Sequence, residues 1–313
     1  MSTRPHPHPY PPAREQLLPA FYNPAAGSAA RMRAAMEQSG ALELRELPPH
    51  GADAVRSAID AGAKRIVVAG GDGTIAAAAS VLAGTDVELA IVPAGTLNHF
   101  ARDLGIPTDP HEAVALALNG SATPVDLGSV NGRIFLNTSS VGAYVVFVRT
   151  RDKLERVLGY RLASLAAAMR TLAHLRTFPL ELEVAGVRRT YRSPLVFVGV
   201  DERELRIPML GGRIAGGKRG LHVLIPRAES RIGVMLLAFR SLLRGVRAAA
   251  ATRFLDSFLV GETRVALRRV HGNVALDGEL AAMAAPLDYR LEPGALRVVV
   301  PPSPPAAAPG DGE

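Results

Sequence analysis

The sequence contains no cysteine and no tryptophan, and aromatic residues make up only 5% of it. Without cysteine, neither a disulfide framework nor a thiolate metal site is possible. With so few aromatic rings, and no zinc-finger or RNA-recognition motif, nucleic acid is the weaker choice among anionic partners. The sequence also lacks an apolar run long enough to cross a bilayer.

What is present describes a globular protein that is large enough for two domains. The chain has 313 residues, of which 48% are hydrophobic and 21% are charged. Its net charge of +7 favours anionic lipid or phosphorylated small molecules as partners. Residues 1–16, rich in proline and histidine, predict a disordered arm rather than a signal peptide, and residues 301–313 predict a disordered tail. We therefore expect a cytoplasmic location, or one at the cytoplasmic face of the membrane.

Residues 17–124 alternate short apolar strands with helical segments. The predicted strands are 17–22, 42–47, 66–69 and 88–92, and the predicted helices are 29–38, 52–61 and 74–82. This alternation predicts an α/β domain with a mostly parallel sheet covered by helices. Ligands of such sheets bind at the carboxyl ends of the strands.

Residues 125–294 follow a different pattern, with short strand candidates separated by turns. These are 130–138, 180–184, 195–200, 221–225, 263–267, 273–276 and 287–291. The pattern predicts an antiparallel β-sandwich or barrel as a second domain. A last strand, 295–300, could return to the first domain.

Two segments of the second domain have helical rather than β periodicity. Residues 154–176 repeat apolar residues at helical spacing, and residues 232–255 do the same with arginines along another face. An apolar stripe beside an arginine stripe suits a helix at an anionic lipid surface. The alternative is an amphipathic helix that packs on its own core and leaves its arginines in solvent.

A glycine turn, Gly70-Gly71-Asp72-Gly73-Thr74, lies between a predicted strand and a predicted helix. Such a turn presents backbone N–H groups and the positive end of a helix dipole to an anion. A carboxylate inside a phosphate-binding turn is unfavourable unless a metal ion or a proton transfer requires it. Asp72 is therefore the first candidate for chemistry.

Three further turns carry polar residues that could serve the same site. They are Asn23-Pro24-Ala25-Ala26-Gly27, the segment from Pro93 to Arg102 with Gly95, Thr96 and Asn98, and Asp277-Gly278-Glu279. Each alone is weak evidence, because a glycine turn or an Asn-Pro turn is often only structural and Asp-Gly is typical of a hairpin tip. Their occurrence together, in this order, is far more specific.

Together these four motifs resemble those of the diacylglycerol kinase catalytic domain family. That family includes bacterial soluble diacylglycerol kinases and the sphingosine and ceramide kinases, and it is distantly related to NAD kinases and phosphofructokinases. The resemblance extends from about Leu17 to Val300. It implies an α/β nucleotide domain facing a β-sandwich across a cleft, and transfer of the γ-phosphoryl group of ATP to a lipid hydroxyl. The first candidate for that lipid is diacylglycerol, which would give phosphatidic acid.

The resemblance also implies a role for each motif. Asp72 would hold or act beside Mg²⁺, and Glu279, with Asp277, would accept the proton of the attacking alcohol. The residues expected around ATP are Asn23, Pro24, Gly27, Gly70, Gly71, Asp72, Gly73, Thr74, Gly95, Thr96, Asn98 and Arg102.

The sequence departs from the family pattern at several places, and the threonine that usually contacts the nucleotide has no clear match near Glu46-Leu47. His99 stands where the family usually has aspartate, and we expect a structural substitution, with His99 near Asp103. Ser28 follows Gly27 where the family often has lysine. Lys218 and Arg219 replace an acidic loop that holds a structural Mg²⁺ in bacterial members, so we expect this metal site to be absent or filled by a side chain.

Other functions remain open at this point. The acceptor could be a sphingoid base or ceramide, or a soluble molecule such as NAD, although the Asn-Glu pair typical of NAD kinases is missing. A non-catalytic nucleotide-binding regulator is the third alternative, suggested by His99 and the missing acidic loop. The sequence does not identify the acceptor or the oligomeric state.

Overall fold

A computed structural model describes residues 17–47, 51–205, 210–214, 216–227, 254–268 and 270–302. The chain forms two compact units. Unit 1 comprises Met1–Pro124 and Leu296–Glu313, and unit 2 comprises Val125–Ala295.

Unit 1 is an α/β structure built on parallel strands. Its elements are β1 (Leu18–Tyr22), α1 (Ala29–Gln38), β2 (Leu42–Glu46), α2 (Ala52–Asp60), β3 (Arg65–Gly70), α3 (Asp72–Leu82), β4 (Glu88–Pro93), α4 (His99–Asp103) and α5 (Pro110–Asn119). The strands pair in the order β2–β1–β3–β4, and the end of the final strand, β18 (Leu287–Val300), pairs in parallel with β4. The predicted alternation of strands and helices is confirmed.

The sheet of unit 1 is held at the amino end of β3 by a buried arginine. All six residues of β3 are buried, as expected for a central parallel strand covered on both faces. Arg65 bonds Glu88 at 2.7 Å and also donates to the carbonyl oxygens of Ala117, Leu118 and Gly120 at 2.8–3.0 Å. These bonds satisfy carbonyl groups at the end of α5 and fix that helix to the sheet.

The described part of unit 2 contains two main antiparallel sheets, a small two-stranded sheet and one long helix. Its elements are β5 (Ser121–Val130, entering from unit 1), β6 (Arg133–Phe135), β7 (Thr138–Gly142), α6 (Ala143–Ala173), β8 (Phe178–Val184), β9 (Val187–Ser193), β10 (Leu195–Val200), β11 (Arg203–Leu205), β12 (Leu210–Arg213), β13 (Leu221–Pro226), β14 (Leu255–Val260), β15 (Glu262–Leu267), β16 (His271–Leu276), β17 (Glu279–Ala284) and the start of β18. In one main sheet the strand order is β9–β8–β15–β18, and β5 pairs with both β18 and β6. The other has the order β14–β13–β10–β7–β16–β17.

The two main sheets of unit 2 share one hydrophobic core. Leu182 and Tyr289 from the first sheet and Val198 and Val274 from the second belong to the same buried cluster. Unit 2 is therefore a β-sandwich, and the predicted fold class, an α/β domain followed by a β-sandwich, is confirmed. Helix α6 packs on the second sheet, where Val145 and Val148 contact Ala275.

Four predicted elements differ from the structure. The predicted strand 130–138 is broken by a hairpin turn at Asn131 and Gly132, both with positive φ, which separates β5 from β6. The predicted helix 154–176 is the second part of α6, which bends at Gly159 (φ 68°, ψ 165°). The predicted strands 287–291 and 295–300 are one strand, β18.

The second predicted amphipathic helix, 232–255, falls mostly outside the described residues. Residues 232–253 are not described, and Leu255 begins strand β14 instead of ending a helix. Within the described ranges, no helix is both long and apolar enough to cross a membrane.

Candidate functional site

The glycine turn after β3 has the geometry of an anion-binding turn. Strand β3 ends at Gly70 and α3 begins at Asp72, with Gly71 extended between them. The first bond into α3 runs from Ile75 N–H to Gly71 O at 3.0 Å, so the N–H groups just before it have no acceptor within the helix. These N–H groups and the helix dipole favour a phosphate at this place.

The turn after β4 packs directly on the turn after β3. A β-carbon on Gly95 would lie 2.6 Å from Cα of Gly71, and one on Gly71 would lie 3.3 Å from Cα of Gly95. A β-carbon on Gly70 would lie 2.5 Å from the side chain of Thr74. Glycine is therefore required here because two backbone turns meet, since any larger residue would push them apart.

Asn23 joins the first turn to the glycine turn. Its Nδ2 donates to Oγ1 of Thr74 at 2.9 Å, and its Oδ1 accepts the N–H of Ala25 at 2.9 Å. Asn98 similarly closes the turn after β4, because its Oδ1 accepts the N–H of Gly95 and its Nδ2 donates to the carbonyl of Gly95. Both side chains organise the turns, and direct contact of either with ATP stays a prediction.

Asn98 also has the backbone conformation that its turn requires. Its φ of 50° and ψ of 47° are in the left-handed region, which asparagine tolerates better than most residues. His99 begins α4 directly after it and Asp103 ends the same helix, one turn away. The expected proximity of His99 to Asp103 as a structural pair stays a prediction.

Asp72 keeps acceptor capacity for a ligand. One carboxylate oxygen accepts the N–H of Phe100 over a long 3.4 Å, and the residue is half-buried. Among the described residues no cluster of three or more histidine and acidic side chains could hold a metal ion by itself. A lone carboxylate nevertheless suits Mg²⁺ bound together with a phosphorylated ligand, because that ion is commonly held by one or two carboxylates with phosphate oxygens and water.

An open cleft of about 700 Å³ adjoins these turns within unit 1. Its volume is in the range of small-molecule sites. It is lined by Gly27, Ser28, Arg31, Met32, Pro93, Gly95, Thr96, Leu97, Asn98, Arg102, Thr108, Asp109 and Pro110. The exposed side chains of Arg31 and Arg102 supply positive charge, so the cleft fits a molecule with several phosphates.

Ser28 and Arg31 are among the cleft residues that the sequence analysis did not place in the site. Ser28 fixes the start of α1 to the turn after β4, because its N–H and its hydroxyl both donate to the carbonyl of Ala94 at 3.1 and 3.0 Å. Arg31 lies on the first turn of α1, one helical turn after Ser28. The spacing of these two residues could have revealed Arg31, because a residue three positions after a helix N-cap lies on the same face of the helix as the cap.

On unit 2, Asp277 and Gly278 form the two-residue turn of the hairpin between β16 and β17. Both have positive φ (48° and 87°), and Leu276 pairs with Glu279 across the turn. Asp-Gly at such a turn is typical of a type I′ hairpin.

The Asp277 carboxylate is occupied by the protein itself. It accepts the N–H groups of Leu136, Asn137 and Thr138 at 2.7, 2.7 and 3.0 Å. Burial raises the pKa of Asp277 above its ordinary value, and these three bonds act in the opposite direction. With its oxygens so engaged, Asp277 is suited to hold the hairpin on the segment before β7 rather than to accept a substrate proton.

Glu279 is the carboxylate of this hairpin that remains available. Its side chain is exposed at the first position of β17. The adjacent turn is contacted by α6, because Nη2 of Arg151 donates to the carbonyl oxygen of Gly278 at 3.3 Å. Of the two predicted proton acceptors, Glu279 is exposed, whereas Asp277 is partly buried and its carboxylate accepts three backbone hydrogen bonds.

Comparison with protein families and with known proteins gives a consistent result. Residues 18–130 match the model of the diacylglycerol kinase catalytic domain. A protein from Pseudomonas aeruginosa (strain UCBPP-PA14), named "Probable lipid kinase YegS-like", is 34% identical over 259 residues, which cover 79% of this chain and 80% of that protein. A diacylglycerol kinase of Bacillus subtilis (strain 168) is 35% identical over 179 residues, 53% of this chain and 59% of that one.

The fold has solved counterparts as well. A crystal structure of a diacylglycerol kinase from Bacillus anthracis str. Sterne superposes with a TM-score of 0.64 at 20% identity. The superposition covers 92% of this chain and 97% of that one. At this level of identity the likeness concerns the fold alone.

Proposed function

The chain belongs to the diacylglycerol kinase catalytic domain family, and from that premise we propose that it transfers the γ-phosphoryl group of ATP to the hydroxyl of diacylglycerol, giving phosphatidic acid. The observation that carries the proposal is the packing of Gly71 on Gly95, with Asp72 at the start of α3. This arrangement combines free backbone N–H groups with a carboxylate, and phosphoryl transfer needs both.

ATP would bind to the turns of unit 1. The N–H groups of residues 72–74 would contact its phosphates, and Thr96 and Arg102 would contribute from the turn after β4 and from α4. Asn23 and Asn98 would keep the turns in place through the bonds described above. Because phosphoryl transfer depends mainly on positioning and charge stabilisation, rigid turns are the main requirement.

Asp72 would hold the Mg²⁺ that accompanies ATP. When bound, that ion neutralises charge on the phosphates during the transfer. The carboxylate is positioned by the start of α3 and by its contact with the N–H of Phe100. The Asp72 carboxylate accepts one long hydrogen bond, so its oxygens can still coordinate a cation. This supports a role in holding Mg²⁺.

Glu279 would act as the general base. It would take the proton of the lipid hydroxyl while the hydroxyl oxygen bonds to the γ-phosphorus and ADP leaves with the bridging oxygen. Asp277 would serve indirectly, by fixing the hairpin that carries Glu279. The exposed carboxylate of Glu279 and the engaged carboxylate of Asp277 support this division of roles.

We also propose that the enzyme binds peripherally to an anionic membrane through α6. Around and beyond the bend at Gly159, this helix buries Ala163 and Ala167 and exposes larger apolar side chains. The exposed fractions are 42% for Leu158, 60% for Leu162, 59% for Leu165, 65% for Met169 and 36% for Leu172. We call these five residues the α6 stripe.

The α6 stripe has the composition that a lipid surface favours. The burial of Ala163 and Ala167, with the larger apolar side chains left exposed, supports this proposal over the alternative of a stripe packed on its own core. Full burial of one leucine or methionine side chain contributes about 1.5–3 kcal/mol. The same helix exposes Arg149, Lys153 and Arg170, and each basic residue near an anionic surface contributes about 1 kcal/mol. These contributions support reversible binding at the cytoplasmic face of the membrane, against which the exposed Asp152 and Glu155 of the same helix act.

The experiment that tests the proposed function is incubation with γ-labelled ATP and a total lipid extract, followed by identification of the labelled product. Labelled phosphatidic acid is the expected result. A labelled sphingoid or ceramide phosphate would replace diacylglycerol as the acceptor, and labelled NADP from added NAD would overturn the lipid assignment. Binding of ATP without any phosphorylated product would indicate a non-catalytic regulator instead.

A further inference from the structure

A buried carboxylate of unit 2 forms a direct ion pair with one arginine. The Asp126 side chain, on β5, is only 4% exposed. Its Oδ2 accepts Nε of Arg219 at 2.6 Å, and its Oδ1 accepts Nη2 of Arg219 at 2.5 Å and the N–H of Gly294 at 2.8 Å. A carboxylate removed from water in this way is strongly unfavourable unless a positive charge and hydrogen bonds compensate it.

A second carboxylate near the same loop is matched in the same manner. Asp201 is buried, and its Oδ2 lies 3.3 Å from Nε of Arg213. Its Oδ1 accepts the N–H of Gly220 at 3.3 Å. The segment around Arg219 therefore contacts two buried acidic side chains, and each of them has an arginine as partner.

The family resemblance implies that an acidic loop at this position holds a structural Mg²⁺ in bacterial relatives. The residues of this chain do not fit such an ion, because Lys218 and Arg219 stand in the loop and the guanidinium of Arg219 occupies both oxygens of Asp126. We infer that Arg219 is a built-in substitute for the structural cation, so that unit 2 folds without a divalent metal at this place.

The chemistry of arginine suits this substitution. A guanidinium presents two parallel N–H groups that match a carboxylate, and its charge is kept at every pH at which the protein folds. The Arg219 side chain is 69% exposed. Only the Asp126 carboxylate is therefore removed from water. The guanidinium of Arg219 neutralises it while remaining largely hydrated itself.

Thermal unfolding without nucleotide tests this inference, independently of whether the chain is a lipid kinase. After treatment with EDTA, the wild-type Tm should be unchanged by millimolar Mg²⁺ or Ca²⁺. Arg219→Ala should lower Tm by several degrees in metal-free buffer, and either cation should restore most of the loss by binding at Asp126. The matched control is Lys218→Ala, which removes the same charge from the neighbouring exposed residue and should change neither Tm nor the response to metal.

Three results would overturn the inference. They are a wild-type protein stabilised by divalent cations without nucleotide, an Arg219→Ala variant with an unchanged Tm, and a loss of Tm that no cation restores. If Arg219→Ala does not fold, Arg219→Lys provides the test, because it keeps the charge without the two-pronged geometry. That variant should fold with a lower Tm and no metal response, and a metal response equal to that expected of Arg219→Ala would contradict the inference.

Discussion

Gly71 and Gly95 lie backbone against backbone, so that a β-carbon on Gly95 would stand 2.6 Å from Cα of Gly71. The two glycines come from turns that follow neighbouring parallel strands, and Gly70 pairs with Pro93 at the ends of those strands. The contact joins the turn that carries Asp72 to the turn that carries Thr96 and Asn98. A single surface at the carboxyl edge of the sheet results, where ligands of parallel sheets bind.

We predict that Gly95→Ala destabilises unit 1. The added methyl group has no room, and overpacking of this kind costs about 1–3 kcal/mol. Gly27→Ala is the matched control, since a β-carbon there would meet nothing within 4 Å. Chemical denaturation without nucleotide should report a lower free energy of unfolding for Gly95→Ala only. Equal stability of the two variants would mean that the turns do not pack as described.

We predict that the two carboxylates of the β16–β17 hairpin give opposite phenotypes. Asp277→Asn keeps a residue that tolerates the left-handed turn but removes an acceptor of backbone N–H groups, at a cost of about 1–3 kcal/mol in unfolding free energy. Glu279→Gln should leave that free energy unchanged and lower kcat by about 10²–10⁴-fold, because it removes the general base. A stable Asp277→Asn or a fully active Glu279→Gln would contradict these roles.

We predict that the α6 stripe carries membrane binding. The double substitution of Leu162 and Leu165 by Ser should weaken binding to vesicles containing phosphatidylglycerol by about tenfold or more, because it removes two insertable side chains. The control is Val187→Ser on β9, where an exposed fraction of 54% is similar but the residue lies outside α6. Co-sedimentation that falls equally in all variants, or in none, would reject the α6 stripe as the binding face.

We predict that the stability contributed by Arg219 depends on pH. Burial alone would raise the pKa of Asp126, but the hydrogen bonds from Arg219 and Gly294 and the charges of Arg219 and Arg213 outweigh it and lower that pKa below its ordinary value of 3.8. A lowered pKa in the folded state means that the contribution is complete above pH 3.8 and is lost as the pH falls through the folded-state value.

The measurement is the difference in Tm between wild type and Arg219→Ala in metal-free buffer. This difference should be constant near neutral pH and should shrink as the pH falls below the ordinary pKa of aspartate, because protonated Asp126 no longer needs the guanidinium. A difference that stays the same in strong acid would show that Arg219 stabilises the loop by contacts other than its charge.

Local patterns in the sequence predicted much of unit 1. Helix α1 has the predicted bounds, and the glycine turn lies between β3 and α3 as expected, because apolar periodicity and glycine spacing are local signals. Helix α5 was missed although Asp109 caps it and Pro110 begins it, a common combination at helix starts. In unit 2, the polar strand β9 was missed because its buried positions depend on tertiary packing.

The roles of individual site residues were less predictable. The predicted part of Asp277 in catalysis beside Glu279 stays a prediction, but the hydrogen bonds of its carboxylate were not foreseen, because their donors lie about 140 residues earlier in the chain. The sequence likewise indicated that Arg219 could not bind a cation, but its partner Asp126 is 93 residues away. Contacts at such separations depend on strand pairing across the whole unit, which local periodicity does not specify.

The most direct test of the account is the initial rate of phosphatidic acid formation from γ-labelled ATP and diacylglycerol in anionic vesicles, compared between wild type and Asp72→Asn. The account predicts labelled phosphatidic acid from wild type and a loss of about 10²-fold or more for Asp72→Asn, with Tm and vesicle binding unchanged. Full activity of Asp72→Asn, or a folded and ATP-binding wild type that phosphorylates no lipid, would contradict it.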